Sequence, residues 1–156
     1  MKTLPQFTPE NLTSLPANHV FVFGSNLAGR HGAGAAKTAR EHFGAITGCG
    51  LGLQGQSYAI ATKDAKLNVL SRSLIQSQVV LFWLTASQMP ERTFWLTRVG
   101  CGLARFRPKE MGSLFYGALH GLRRDGLIKT PCTNVHLPED PAFREPFETY
   151  DRTRKS

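Results

Sequence analysis

Residues 19–43 read HVFVF, then GSNLAGRHGAG from Gly24 to Gly34, then AAKTAREHF. The opening run is β-branched and aromatic and stops at glycine, the pattern of a strand buried on both faces. Ala36, Ala39 and Phe43 fall on one stripe of a predicted helix that Gly44 ends. A strand, a glycine loop and a helix start, in that order, present backbone N–H groups and the positive end of a helix dipole to an anion. Gly24, Gly29, Gly32 and Gly34 let the loop approach a ligand without Cβ clashes, with Ser25, Asn26, Arg30, His31 and Ala33 between them. Asn26, just past the strand, can cap the turn or donate to a sugar hydroxyl or a phosphate.

Outward from this unit the chain keeps alternating. Gly48 to Gly55 forms a second glycine cluster and leads into a predicted strand at 57–62. Leu67, Leu70, Leu74 and Ile75 have helical spacing, which predicts one long helix from 67 to 88, ending before Pro90. Residues 93–97 (TFWLT) read as a strand, and a third glycine loop follows at 98–106. Met111, Leu114, Phe115, Ala118, Leu119 and Leu122 then trace the clearest amphipathic helix, with Pro108 where a first turn tolerates it. Residues 133–137 (TNVHL) close the series as a strand. Strands alternating with helices imply an α/β fold with a mostly parallel central sheet covered on both faces. Ligands of such sheets sit in the loops leaving the carboxyl ends of the strands. The loops near residues 30 and 101 are therefore expected to meet at one end of the sheet. Residues 1–138 are read as one α/β domain and 139–156, charged and bearing two prolines, as a loosely packed tail.

Charge is uneven. The chain of 156 residues carries a net charge of +8, and the excess lies before residue 139, where 15 basic residues face six acidic ones. A body so poor in carboxylates suits an anionic ligand, a phosphate ester or a nucleic acid. Cys49, Cys101 and Cys132 form no CxxC pair, which argues against a disulfide framework and a zinc ribbon; no metal and no cofactor is expected. No apolar run is long enough to span a bilayer and the N-terminal residues lack a signal-peptide pattern, so a cytoplasmic protein with no membrane partner is expected.

Two familiar nucleotide motifs fail. HGAGAAKT has Ala36 where a P-loop needs glycine before its lysine, and GAGAAK lacks the third glycine of the dinucleotide fingerprint. A nucleophilic Cys49 or Cys101, each between glycines, would need a base beside it. Asp64 is the one carboxylate near the glycine loops and is the default general base, with Asn26 the second candidate for chemistry. Phe82, Trp83, Phe94 and Trp95 lie in apolar runs that read as core, leaving no stacking platform for bases. A basic, non-enzymatic nucleic-acid-associated protein is the alternative reading.

FVFGSNLAGRHGAGAA (21–36), GLQGQSYAIATKD (52–64) and LTRVGCGLARF (96–106) resemble, in this order, motifs of a group of uncharacterised bacterial and phage proteins similar to the macrodomain superfamily. The resemblance implies a three-layer α/β/α fold that binds ADP-ribose or a related nucleotide diphosphate, with ADP-ribosyl hydrolase activity in some members. It implies Asn26 at the distal ribose and Gly29, Gly32 and Gly34 at the pyrophosphate. Gly100, Cys101, Gly102 and Phe106 are similar to the second ligand loop, Phe106 lying beside the ribose. Arg105 departs from that pattern, standing where a small residue is expected, which implies either a loop held farther from the phosphates or a guanidinium clamp on them. The superfamily's adenine-selecting aspartate has no counterpart here; Glu10 is the nearest carboxylate.

Overall fold

A computed structural model describes residues 4–129 and 132–154. In chain order the elements are β1 (His19–Asn26), α1 (Gly34–His42), β2 (Gly52–Gln54), β3 (Ser57–Lys63), α2 (Arg72–Gln88), β4 (Thr93–Leu96), α3 (Pro108–Arg124), β5 (Val135–His136) and α4 (Pro141–Arg154). They form a five-stranded sheet in the order β2-β3-β1-β4-β5. β1 pairs in parallel with β3 and β4, β4 in parallel with β5, and only β2 runs antiparallel, on β3.

The alternation along β1 explains its unbroken apolar run. Phe21 and Phe23 pack with Ala36, Ala39 and Phe43 of the α1 layer. Val20 and Val22 point the other way, into a larger core with Ile75, Phe82, Phe94 and Phe115. α1 thus covers one face of the sheet and α2 and α3 the other. α3 buries the predicted stripe of Met111, Phe115, Ala118, Leu119 and Leu122. The Trp83 indole N–H donates to the Phe115 carbonyl at 2.9 Å, fixing α2 against α3. Gln78 of α2 bonds both backbone groups of Ala61 at 2.7 Å, occupying the edge of β3 beyond the end of β2.

The structure corrects four expectations. The helix predicted from residue 67 starts at Arg72. Asp64 accepts the N–H groups of Lys66 and Asn68, both at 2.9 Å, and organises a turn that outcompetes the helix. Leu67 in that turn has a φ of 67°, Leu70 donates to the Thr62 carbonyl at 2.9 Å, and the helix waits for the Ser71 hydroxyl to cap it. The tail is no loose segment: through residue 154 it forms α4, packed on α3. Asp140 accepts the Ala142 N–H at 2.9 Å, which starts the helix, and Phe143 is fully buried. α4 lies so close to α3 that a Cβ on Gly112 would sit 2.0 Å from the Phe143 carbonyl oxygen. Finally, the second glycine cluster contains a short strand, β2, and the last strand holds only Val135 and His136.

Candidate functional site

β1 and β4 are neighbours that send their following helices to opposite faces of the sheet, and such a reversal opens a crevice at the strands' carboxyl ends. A cavity of about 550 Å³ lies there. Its walls are the end of β1 (Gly24, Ser25, Asn26), the following loop (Arg30, Gly32, Ala33) and the first turn of α1 (Gly34, Ala35, Ala36). Thr62, Lys63 and Leu67 close it on the β3 side, and the loop after β4 supplies Thr97, Arg98, Gly100, Gly102, Leu103 and Ala104. The loops near residues 30 and 101 therefore share one cavity. A second cavity of about 430 Å³ adjoins it through Gly34, Ala35, Thr97, Arg98 and Gly102. Thr8, Pro9, Glu10 and Asn11 from the N-terminal segment and Pro138, Glu139 and Asp140 from the segment after β5 wall it. The two cavities make one trough across the strand ends, from β3 to β5.

Asn26 shapes the first loop. Its amide donates to the Arg30 carbonyl at 2.9 Å and its oxygen accepts the Arg30 N–H at 3.0 Å, which leaves one N–H and one lone pair for another partner. α1 starts at Ala33 with no side-chain cap and no acidic residue in its first turn. Its first N–H groups, which have no partner within the helix, belong to residues lining the cavity.

The second glycine cluster is a buttress. A Cβ on Gly50 would lie 2.0 Å from the Asn26 carbonyl oxygen, and one on Gly29 would lie 2.3 Å from the Cys49 nitrogen, so the two loops meet backbone to backbone. His31 is 1% exposed and locks this contact, its Nε2 lying 3.1 Å from the carbonyls of both Ile46 and Cys49. The Gln54 side chain completes it, accepting the Ile46 N–H at 2.7 Å and donating to the Cys49 carbonyl at 3.0 Å. Gly29 and His31 are thus behind the cavity wall, not on it.

Other predicted residues also serve the walls. Phe106 is half-buried against Gly100 and joins the core instead of lining the cavity. Arg105 is exposed, with a φ of 60°, and does not line the cavity either. Asp64 is committed to its own turn, and the N–H donors of Asn68 and Lys66 hold its carboxyl below the usual range, which makes it a weak base. Cys101 reaches the second cavity, but burial pushes its thiol up to about 11, so it stays protonated at neutral pH. Among the described residues no group of three or more His, Cys, Asp or Glu side chains is placed to hold a metal ion, and no helix is long and apolar enough to cross a membrane.

No local pattern marks Arg98 within the stretch LTRVGCGLARF as a site residue. Arg98 lines both cavities and reaches Asp140 at 3.0 Å and Glu10 at 3.6 Å. Burial would raise the Asp140 carboxyl, but the Arg98 guanidinium and two backbone N–H groups outweigh it and hold the group below its ordinary value. Both acidic partners are distant in sequence, so no local pattern announces them. In comparison with known proteins, no family model, no curated protein and no solved structure matches this chain.

Proposed function

We propose that the chain is a macrodomain-like module whose trough binds ADP-ribose or a related nucleoside diphosphate. The observation that carries this reading is the pair Gly32 and Gly102. Both line the first cavity, neither has a left-handed φ, and a Cβ on either would meet nothing within 4 Å. The fold itself has no need of glycine at these two places. Clearance for a ligand lying between the two loops accounts for both. In this arrangement the diphosphate lies over the first turn of α1, where N–H groups and the helix dipole favour an anion. The distal ribose takes the free bonding positions of Asn26, and the base enters the second cavity among Asn11, Glu10 and Asp140. The cavity volume falls in the range of small-ligand sites, about 300–1,000 Å³.

Binding is the function this geometry supports. Hydrolysis at the distal ribose would depend on a water held by Asn26 and loop N–H groups, since the carboxylates lining the trough, Glu10, Glu139 and Asp140, all lie in the second cavity. Calorimetric titration with ADP-ribose tests the reading. Saturable binding by the wild-type chain, weakened about tenfold or more in Gly32→Val and Gly102→Val with little change in melting temperature, is expected. No saturable binding, or equal affinity in the valine variants, would falsify it.

A further inference from the structure

The two ends of the trough differ in charge. At the β5 end three carboxylates, Glu10, Glu139 and Asp140, face one guanidinium, Arg98, which is already ion-paired. At the β3 end Arg30 and Lys63 line the cavity, no carboxylate does, and neither cation is in an ion pair among the described residues. The loops framing this mouth add the exposed Lys66, Arg105 and Arg107; Lys66 also feels the Asp64 carboxylate, and none of the three is in an ion pair among the described residues. Nearby acids are already engaged: Asp64 holds the N–H donors of its turn, and Glu110 is paired with Arg72. Two leucines are exposed in the same mouth, Leu67 at 46% and Leu103 at 71%. Leu67 is held there in left-handed backbone, with a φ of 67°, a conformation that residues with a branched side chain rarely adopt.

Cations outside ion pairs suit the phosphodiesters of a polynucleotide strand, and the two leucines offer its bases apolar contact without aromatic stacking. Arg30, Lys63, Leu67 and Leu103 line the same cavity as Gly32 and Gly102, so a nucleotide seated there continues into this mouth as a phosphodiester chain, a continuity that an acidic peptide does not have. We propose that the β3-side mouth binds the backbone of a single-stranded nucleic acid, so that the nucleotide seated in the trough is one carried by a polynucleotide. The direction follows from the charges: a phosphodiester chain can leave past Arg30 and Lys63, whereas the carboxylates at the β5 end repel it. This rests on the nucleotide reading of the trough given above.

The test is fluorescence anisotropy with a short labelled oligo(dT) on the full chain at several salt concentrations. Lys66 and Arg107, which do not line the cavity, are reversed together in K66E/R107E. A control of equal charge change, R123E/K129E, reverses one exposed cation in the last turn of α3 and one in the segment after it, Arg123 lying a helix length of about 25 Å from Arg107. The mouth variant is expected to bind oligo(dT) about tenfold or more weakly, with the control within about twofold, and to lose roughly 0.7 from the log–log salt slope per phosphate contact removed. ADP-ribose affinity in both variants stays near the wild-type value, which also verifies folding. Equal losses in the two variants, equally strong competition by an oligoglutamate peptide, or no oligonucleotide binding at physiological salt would each overturn the proposal. If ADP-ribose fails to bind the wild-type chain while oligo(dT) binding depends on the mouth, the diphosphate reading falls and the nucleic-acid surface stands.

Discussion

Single residues here carry tasks that their neighbours in sequence do not reveal. His19 begins β1 with its Nδ1 accepting the Trp95 indole N–H at 2.8 Å, and His136 stacks on the Trp95 ring at 3.9 Å. Burial, and then the nearby His136, hold the His19 pKa below its usual value. A base with a lowered folded pKa binds protons more readily when the chain is unfolded. Stability is therefore full above the unfolded value, about 6.5, and falls as pH drops below it. Melting curves between neutral and mildly acidic pH should show this decline, and His19→Gln should flatten part of it; an unchanged slope in the variant would refute the assignment. Asp64 teaches the complementary lesson. As a carboxylate beside a glycine loop it was a reasonable general base, yet its oxygens are spent on the N–H groups of Lys66 and Asn68. Residue type was readable in the sequence, but the donors facing it were not.

At the scale of elements, local signals decided what was legible. The strand, loop and helix of residues 19–43 announce themselves because β-branched runs and glycines act over a few positions. The stripe of α3 does so through its period. Leu67 misled because its spacing to Leu70 and Leu74 fits a helix, whereas the pairing of Lys63 with Val69 that excludes one is a property of the folded chain. α4 was hidden for the opposite reason: Pro146 and a dense set of charges mask Phe143, Phe147 and Tyr150, which recur at helical spacing. The close seat of α4 on Gly112 makes a sharp forecast. Phe143→Ala should destabilise the chain by about 3–5 kcal/mol in denaturant unfolding, as for other buried phenylalanines, and Gly112→Val should be at least as damaging. Values within about 0.5 kcal/mol of wild type would mean that α4 contributes little to the core.

For the molecule as a whole, the trough's position followed from the alternating pattern and the carboxyl-end rule, but its composition did not. The carboxyl-end rule brings the two glycine loops together, and both line the first cavity. It could not foresee that Gly29 and His31 would stand behind the wall, or that the N-terminal segment and the segment after β5 would form the second cavity. Arg98 ties these two segments to the strand ends. With 44% of its side chain exposed, its ion pairs are worth about 1 kcal/mol or less each. Arg98→Met should therefore lower stability only modestly at low salt and hardly at all at high salt, by thermal unfolding. A large loss that ignores salt would show that the stem, not the charge, matters there.

One wall of the second cavity has an origin in time as well as in space. Residues 8–11 and 138–140 lie side by side, with the Thr8 N–H on the Leu137 carbonyl at 2.8 Å and Glu139 returning a bond to Thr8 at 3.1 Å. A ribosome delivers the first of these long before the second. A nascent polypeptide that has released β4 and its loop already carries every residue of the glycine cradle, yet the wall of the far compartment is incomplete until residue 140 is added.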